Sequence, residues 1–114
     1  MKTSVRYTVR SVRPPIVEID TGVKAAYVRF SNRPVVETKE VPSAGPSIVT
    51  IDLDRQGQVV GIELIGVSSF EINVLLKRVP VSVERPEILG RASYVSAAEA
   101  HRKRSRAAST LQAD

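Results

Sequence analysis

Residues 47–65, SIVTIDLDRQGQVVGIELI, constrain the fold more than any other stretch of the chain. Ile48-Val49-Thr50-Ile51-Asp52-Leu53 and Val59-Val60-Gly61-Ile62-Glu63-Leu64-Ile65 are both dense in β-branched residues. Such residues are stiff at χ1 and pack well on a pleated surface. Asp54-Arg55-Gln56-Gly57 lies between the two runs. An Asp side chain accepts bonds from nearby backbone N–H groups and opens a tight turn; Gly closes it at positive φ without a Cβ clash. Asp54 and Gly57 are therefore read as turn formers, and the stretch as a β-hairpin. Val49, Ile51 and Leu53 share one face, and Val60, Ile62 and Leu64 share a face of the partner strand. A register opposing Ile51 to Val60 and Val49 to Ile62 unites all six. A one-residue slip would mix them with Gly61 and Glu63. The back face carries Ile48, Thr50 and Asp52 with Val59, Gly61 and Glu63, and is only half polar.

Upstream, residues 3–12 alternate, with Val5, Tyr7 and Val9 on one side and Arg6, Thr8 and Arg10 on the other. This predicts a half-buried strand with a basic outer face, ended by Pro14-Pro15. Ile16 to Asp20 reads as a second strand, closed by Asp20-Thr21-Gly22, and residues 24–30 as a third, with Tyr27 and Phe30 as its large residues. After a turn at Asn32-Arg33-Pro34, residues 35–41 read as a fourth, charged enough to lie at an edge. Residues 42–46 form a loop before the hairpin.

Downstream the period changes. Ser68-Ser69-Phe70-Glu71 fits a capping box, and Ile72, Leu75, Leu76 and Val79 recur on one helical face before Pro80. A helix over about 69–78 is expected; the competing strand reading places Phe70, Ile72, Val74 and Leu76 together. Residues 80–95 read as an extended connector. Ser96-Ala97-Ala98-Glu99 is a second capping-box candidate, and the Ala- and Arg-rich segment behind it favours a helix. That segment has no Leu/Ile stripe with which to dock. The expected architecture is α+β: a small antiparallel sheet of about five or six strands with one packed helix in residues 1–79, the connector, and a basic tail at 96–114 with helical propensity.

Residues 16–65 resemble a family of small prokaryotic proteins known only as domain of unknown function 2283. The resemblance rests on Asp20 in an acid-containing turn, Tyr27 in the strand Ala25 to Phe30, and Val36-Glu37-Thr38. It continues through Asp52-Leu53-Asp54 with Gly57, then Val60-Gly61-Ile62-Glu63. Ile19, Lys24 and Ala26 depart from the pattern. The resemblance implies a fold module without an established activity, and a protein-interaction role with a small toxin-like protein as one conceivable partner.

Charge is unevenly placed among the 114 residues: +4 over residues 1–13, −1 over 14–79 and +2 over 80–114. Arg6 and Arg10 at one end, and Arg102, Lys103, Arg104 and Arg106 at the other, are the candidate contacts for an anionic partner. Aromatic residues are scarce, so such contacts would read backbone charge rather than bases. Asp20, Asp52, Asp54 and Glu63 are the only candidate carboxylate cluster, and the single His101 sits in a basic run that would repel a cation. No G-x-S-x-G, G-x-G-x-x-G or Walker pattern occurs. The sequence therefore points to a non-enzymatic module without metal or cofactor, binding a protein partner or a second copy of itself. Non-specific nucleic-acid binding through the basic ends is the alternative. With no cysteine, no apolar run of about 18 residues and no apolar segment after Met1, the expectation is a cytoplasmic protein without a membrane association.

Overall fold

The computed structural model describes residues 6–42 and 46–112, with side chains as far as Arg104. The hairpin is the centre of the molecule. β5 (Ile48–Leu53) and β6 (Val59–Ile65) pair antiparallel, and Gly57 takes φ +77 in the turn. Asp54 Oδ1 accepts from the Gln56 and Gln58 amides at 2.8 and 3.0 Å, which fixes the loop from within. The expected faces hold except at the start of β6, where Val59 and not Val60 joins the core cluster, and the register differs. Ile51 lies opposite Ile62 and Val49 opposite Leu64, two residues from the expected pairing, with an irregularity between Asp52 and Leu53. A two-residue shift preserves the faces, so burial alone does not select between the two registers; the length of the turn does. Val59, expected on the back face, is fully buried, because it follows that irregularity.

β2 (Ile16–Asp20), β3 (Ala25–Arg29) and β4 (Glu37–Val41) join the hairpin, and β8 (Ser93–Ser96) completes a six-stranded sheet of order β4-β5-β6-β3-β2-β8. All neighbours are antiparallel except β2 and β8, which run parallel. β4 lies at the edge, as its charge suggested. The first alternating segment does not join this sheet. β1 (Tyr7–Val9) pairs in parallel with β7 (Val81–Val83) as a separate ribbon. The expected connector at 80–95 is thus structured: β7, a 3₁₀ turn over Pro86–Arg91, and β8. Each of its strands is too short to show a period, and each draws its hydrogen bonds from a strand far upstream.

One face of the sheet, carrying Val17, Ala26, Val28, Val49, Ile51, Ile62 and Leu64, is the core. Val9, Val81, Ile88, Ile72 and Leu75 belong to the same buried cluster. The last two belong to α1 (Ile72–Leu76), which is helical but shorter than expected. The capping box at Ser68 does not form. Glu71 is itself the N-cap: its carboxylate accepts from the Val74 amide at 3.0 Å, and Ser69 Oγ accepts from the Glu71 amide. The Glu71 carboxyl is held below its usual pKa, first by the Asn73 side-chain amide and then by the Val74 N–H. α2 (Ala97–Gln112) starts where the second capping box predicts, with Ser96 Oγ accepting from the Glu99 amide at 3.1 Å. It does dock, contrary to expectation, because Ala100 is small enough to be buried and Arg104 reaches the sheet.

Ile51 and Ile62 are fully buried opposite one another. Ile51→Ala and Ile62→Ala should each lower stability by about 2–4 kcal/mol in urea melts. As cross-strand neighbours they should be non-additive in the double variant.

Candidate functional site

The second face of the sheet is the one with chemistry on it. Alternation brings Glu18, Tyr27, Arg29, Gly61, Glu63, Thr50, Asp52 and Thr38 to this side. Gly61 is the pivot. A Cβ at this position would collide with the hydroxyl end of the Tyr27 ring, so glycine lets that end pass over β6. A glycine inside a strand marks a bulge or a close approach by another group; the irregularity of the β5–β6 pair lies next to Gly61, and the group that approaches it is the Tyr27 side chain. By crossing β6, the Tyr27 hydroxyl reaches β5 and donates to Asp52 Oδ2 at 2.7 Å. Thr38 on β4 donates to the other oxygen, Asp52 Oδ1, at 2.6 Å. One carboxylate thereby ties β3 to β4 across two intervening strands. The phenol pKa is pushed well above its usual value, first by burial and then by the hydrogen bond and the charge of Asp52. Asp52 and Glu63 do share this face, on adjacent rungs, but both Asp52 oxygens are occupied by hydroxyls.

Beside Tyr27, Glu18 is 6% exposed and binds two guanidiniums through Oε2: Arg29 Nε at 2.8 Å and Arg104 Nη1 at 2.7 Å. Arg29 also stacks over the Tyr27 ring, 4.9 Å from its centre. A buried carboxylate requires partners, and here one comes from the neighbouring strand and the other from α2. Nothing in the sequence ranked Glu18 above other acids, since its importance comes from a partner 86 residues away.

A cleft of about 350 Å³ opens over this face between the sheet and α2. Glu18, Tyr27, Arg29 and Arg104 form its charged side, and Asp20 and Glu63 line it with Val23 and Ile65. Val23, Ile65 and Ile48, the cross-strand neighbour of Ile65, are exposed apolar side chains.

Several of the candidate cations have partners within the chain. Arg6 donates to Ser82 Oγ and the Val81 carbonyl, Arg10 pairs with Glu84 at 3.0 Å, and Arg104 is held by Glu18. Lys103 pairs with Glu99 one turn earlier at 3.7 Å, Arg102 is exposed on α2, and the Arg106 side chain lies outside the described residues. Asp54 is 5% exposed, held by the turn and by Arg33, whose Nε lies 3.2 Å from Oδ2. His101 is exposed on α2. Among the described residues no group of three or more His, Cys, Asp or Glu is placed to hold a metal ion.

Residues 16–68 match the family model described as Protein of unknown function (DUF2283), so the resemblance read from the sequence holds and reaches Ser68. No curated protein and no solved structure matches the chain. Tyr27, Thr38, Asp52 and Gly61, among the residues that carried the resemblance, meet at the Asp52 hydrogen-bonded cluster on the second face.

Gly61→Ala should destabilise by about 1–3 kcal/mol through overpacking against the ring. The same change should cost less in a Tyr27→Ala background, which denaturant melts of the four-member cycle would read. The Tyr27 phenol should ionise well above the ordinary tyrosine range in an alkaline absorbance titration. Its folded pKa is raised, so its contribution to stability is complete below about pH 10 and declines as pH rises from there toward the folded value. Tyr27→Phe should remove that part of the alkaline loss.

Proposed function

From residues 16–68, a segment that matches a family of unknown function, we propose a non-enzymatic interaction module that grips a segment of a partner protein in the cleft beneath α2. The observation that carries this reading is the composition of the cleft. Exposed Val23 and Ile65 lie beside Asp20 and Glu63, with the Arg29–Glu18–Arg104 cluster at the other side. Such a mixture suits a peptide that offers an apolar side chain and a basic one, since the apolar contact contributes affinity and the charges fix orientation. A small toxin-like protein is the kind of partner that the family resemblance suggests for it.

The alternative, non-specific nucleic-acid binding, has less support. Phosphate neutralisation needs several free cations on one surface, whereas Arg6, Arg10, Lys103 and Arg104 have partners within the chain. The reading includes a cytoplasmic setting, in keeping with a chain that has no cysteine. No helix among the described residues is long and apolar enough to cross a membrane.

The test is affinity capture from cells of the source with the whole chain, with Ile65→Asp, and with Arg102, Lys103, Arg104 and Arg106 all replaced by Ala. The proposal expects a protein retained after nuclease treatment and at moderate salt, and lost with Ile65→Asp. Recovery of nucleic acid alone, lost with the four-alanine variant and with rising salt, would support the alternative instead.

A further inference from the structure

A second interaction surface lies at the far edge of the sheet from α2. β4 pairs with β5 on one side and, among the described residues, with nothing on the other. Its residues Glu37 to Glu40 are exposed, and Val35 and Val36 before it are 45% and 58% exposed. The extended backbone starts before Glu37, since the Val36 amide donates to the Leu53 carbonyl at 2.9 Å. An open edge of this kind is a template for another strand. Charges usually keep such edges single, so their order decides what can pair here.

We propose that β4 pairs antiparallel with β4 of a second copy of this chain, about a two-fold axis at Thr38. An antiparallel pair that continues the sheet has its axis normal to it, and that axis must fall at a residue position so that like faces stay together. Six positions are available from Val36 to Val41. An axis at Glu37, Lys39 or Glu40 sets each of those charges opposite its own copy. An axis at Val36 sets Pro34 opposite the partner's Thr38, and one at Val41 sets Pro42 opposite the partner's Glu40; proline has no amide to donate to the ladder. An axis at Thr38 opposes no like charges and sets Pro34 opposite the partner's Pro42 only at the two ends of the pair, where the ladder stops.

With the axis there, Glu37 faces the partner's Lys39 and Lys39 faces the partner's Glu37. Val35 faces the partner's Val41 on the same side of the sheet, and the two Thr38 residues face each other on the other side. Within one copy Glu37 and Lys39 are neighbours on one face at 3.9 Å, a loose exposed pair; pairing of two copies gives each a directly opposite partner. The arrangement leaves the cleft beneath α2 free, because β4 and β8 are opposite edges of the sheet. The inference thus stands apart from the peptide-binding reading.

Sedimentation of the full chain over micromolar to millimolar concentrations tests it. The unaltered chain should show a monomer–dimer equilibrium. Glu37→Lys and Lys39→Glu should each weaken it by about tenfold or more, since each turns two attractive cross-strand pairs into repulsive ones. The doubly exchanged chain, Glu37→Lys with Lys39→Glu, should dimerise again. An equal mixture of the two single variants should form a mixed dimer although each alone does not. These positions are exposed, and thermal melts of the variants report whether the fold persists. A chain that stays monomeric throughout, or a dimer indifferent to both exchanges, overturns the proposal. Ile65→Asp should leave the dimer intact, so failure of this inference and failure of the cleft reading are separable.

Discussion

The sheet depends on one aromatic ring lying where a side chain is missing. Tyr27 can reach Asp52 only because Gly61 presents no Cβ to the ring. Asp52, with the Thr38 hydroxyl on its other oxygen, then links strands that are not neighbours. A backbone ladder holds only adjacent strands, and pairs on a half-exposed face contribute modestly. A side-chain bridge over an intervening strand adds resistance to shear, because sliding β5 along β6 would break the hydroxyl bond as well as the ladder. It also covers a glycine that would otherwise weaken a central strand.

Glu18 gives the same face its second constraint. A carboxylate this nearly buried needs partners, and both arrive as guanidiniums on one oxygen. Arg29 is supplied by the sheet itself, whereas Arg104 belongs to α2. That helix buries only Ala100 among its described residues, so charge rather than apolar area holds much of it in position. Helix docking and cleft geometry are therefore coupled through a single carboxylate.

The hairpin, its turn chemistry, the edge position of β4 and the start of α2 were legible because each is local: β-branched runs, an Asp…Gly connector, a charged strand, a capping serine. The hairpin register was not, since shifts of two residues keep every face. β7 and β8 escaped notice because three- and four-residue strands carry no period, and their partners β1 and β2 lie over seventy positions upstream. Gly61 was legible as an anomaly within a strand, but not the identity of what crosses it. Glu18 illustrates the deepest limit, because an acid in a strand reads as a solvated residue until the packing of a remote helix is known.

The two parallel pairings set an order of assembly. Residues 16–68 contain the whole antiparallel part of the sheet, in which β2–β3, β4–β5 and β5–β6 join consecutive strands and only β3–β6 closes a longer loop, with Ala25 opposite Ile65. β7 and β8 close onto β1 and β2 only after the chain has doubled back over more than seventy positions. Closing such long loops is slow compared with hairpin formation. During synthesis on the ribosome, β2 therefore waits with one edge open, and the core lacks Val81 and Ile88, until the last third of the chain has emerged. The nascent chain in that interval is a partly built sheet whose sticky edge is protected by time alone.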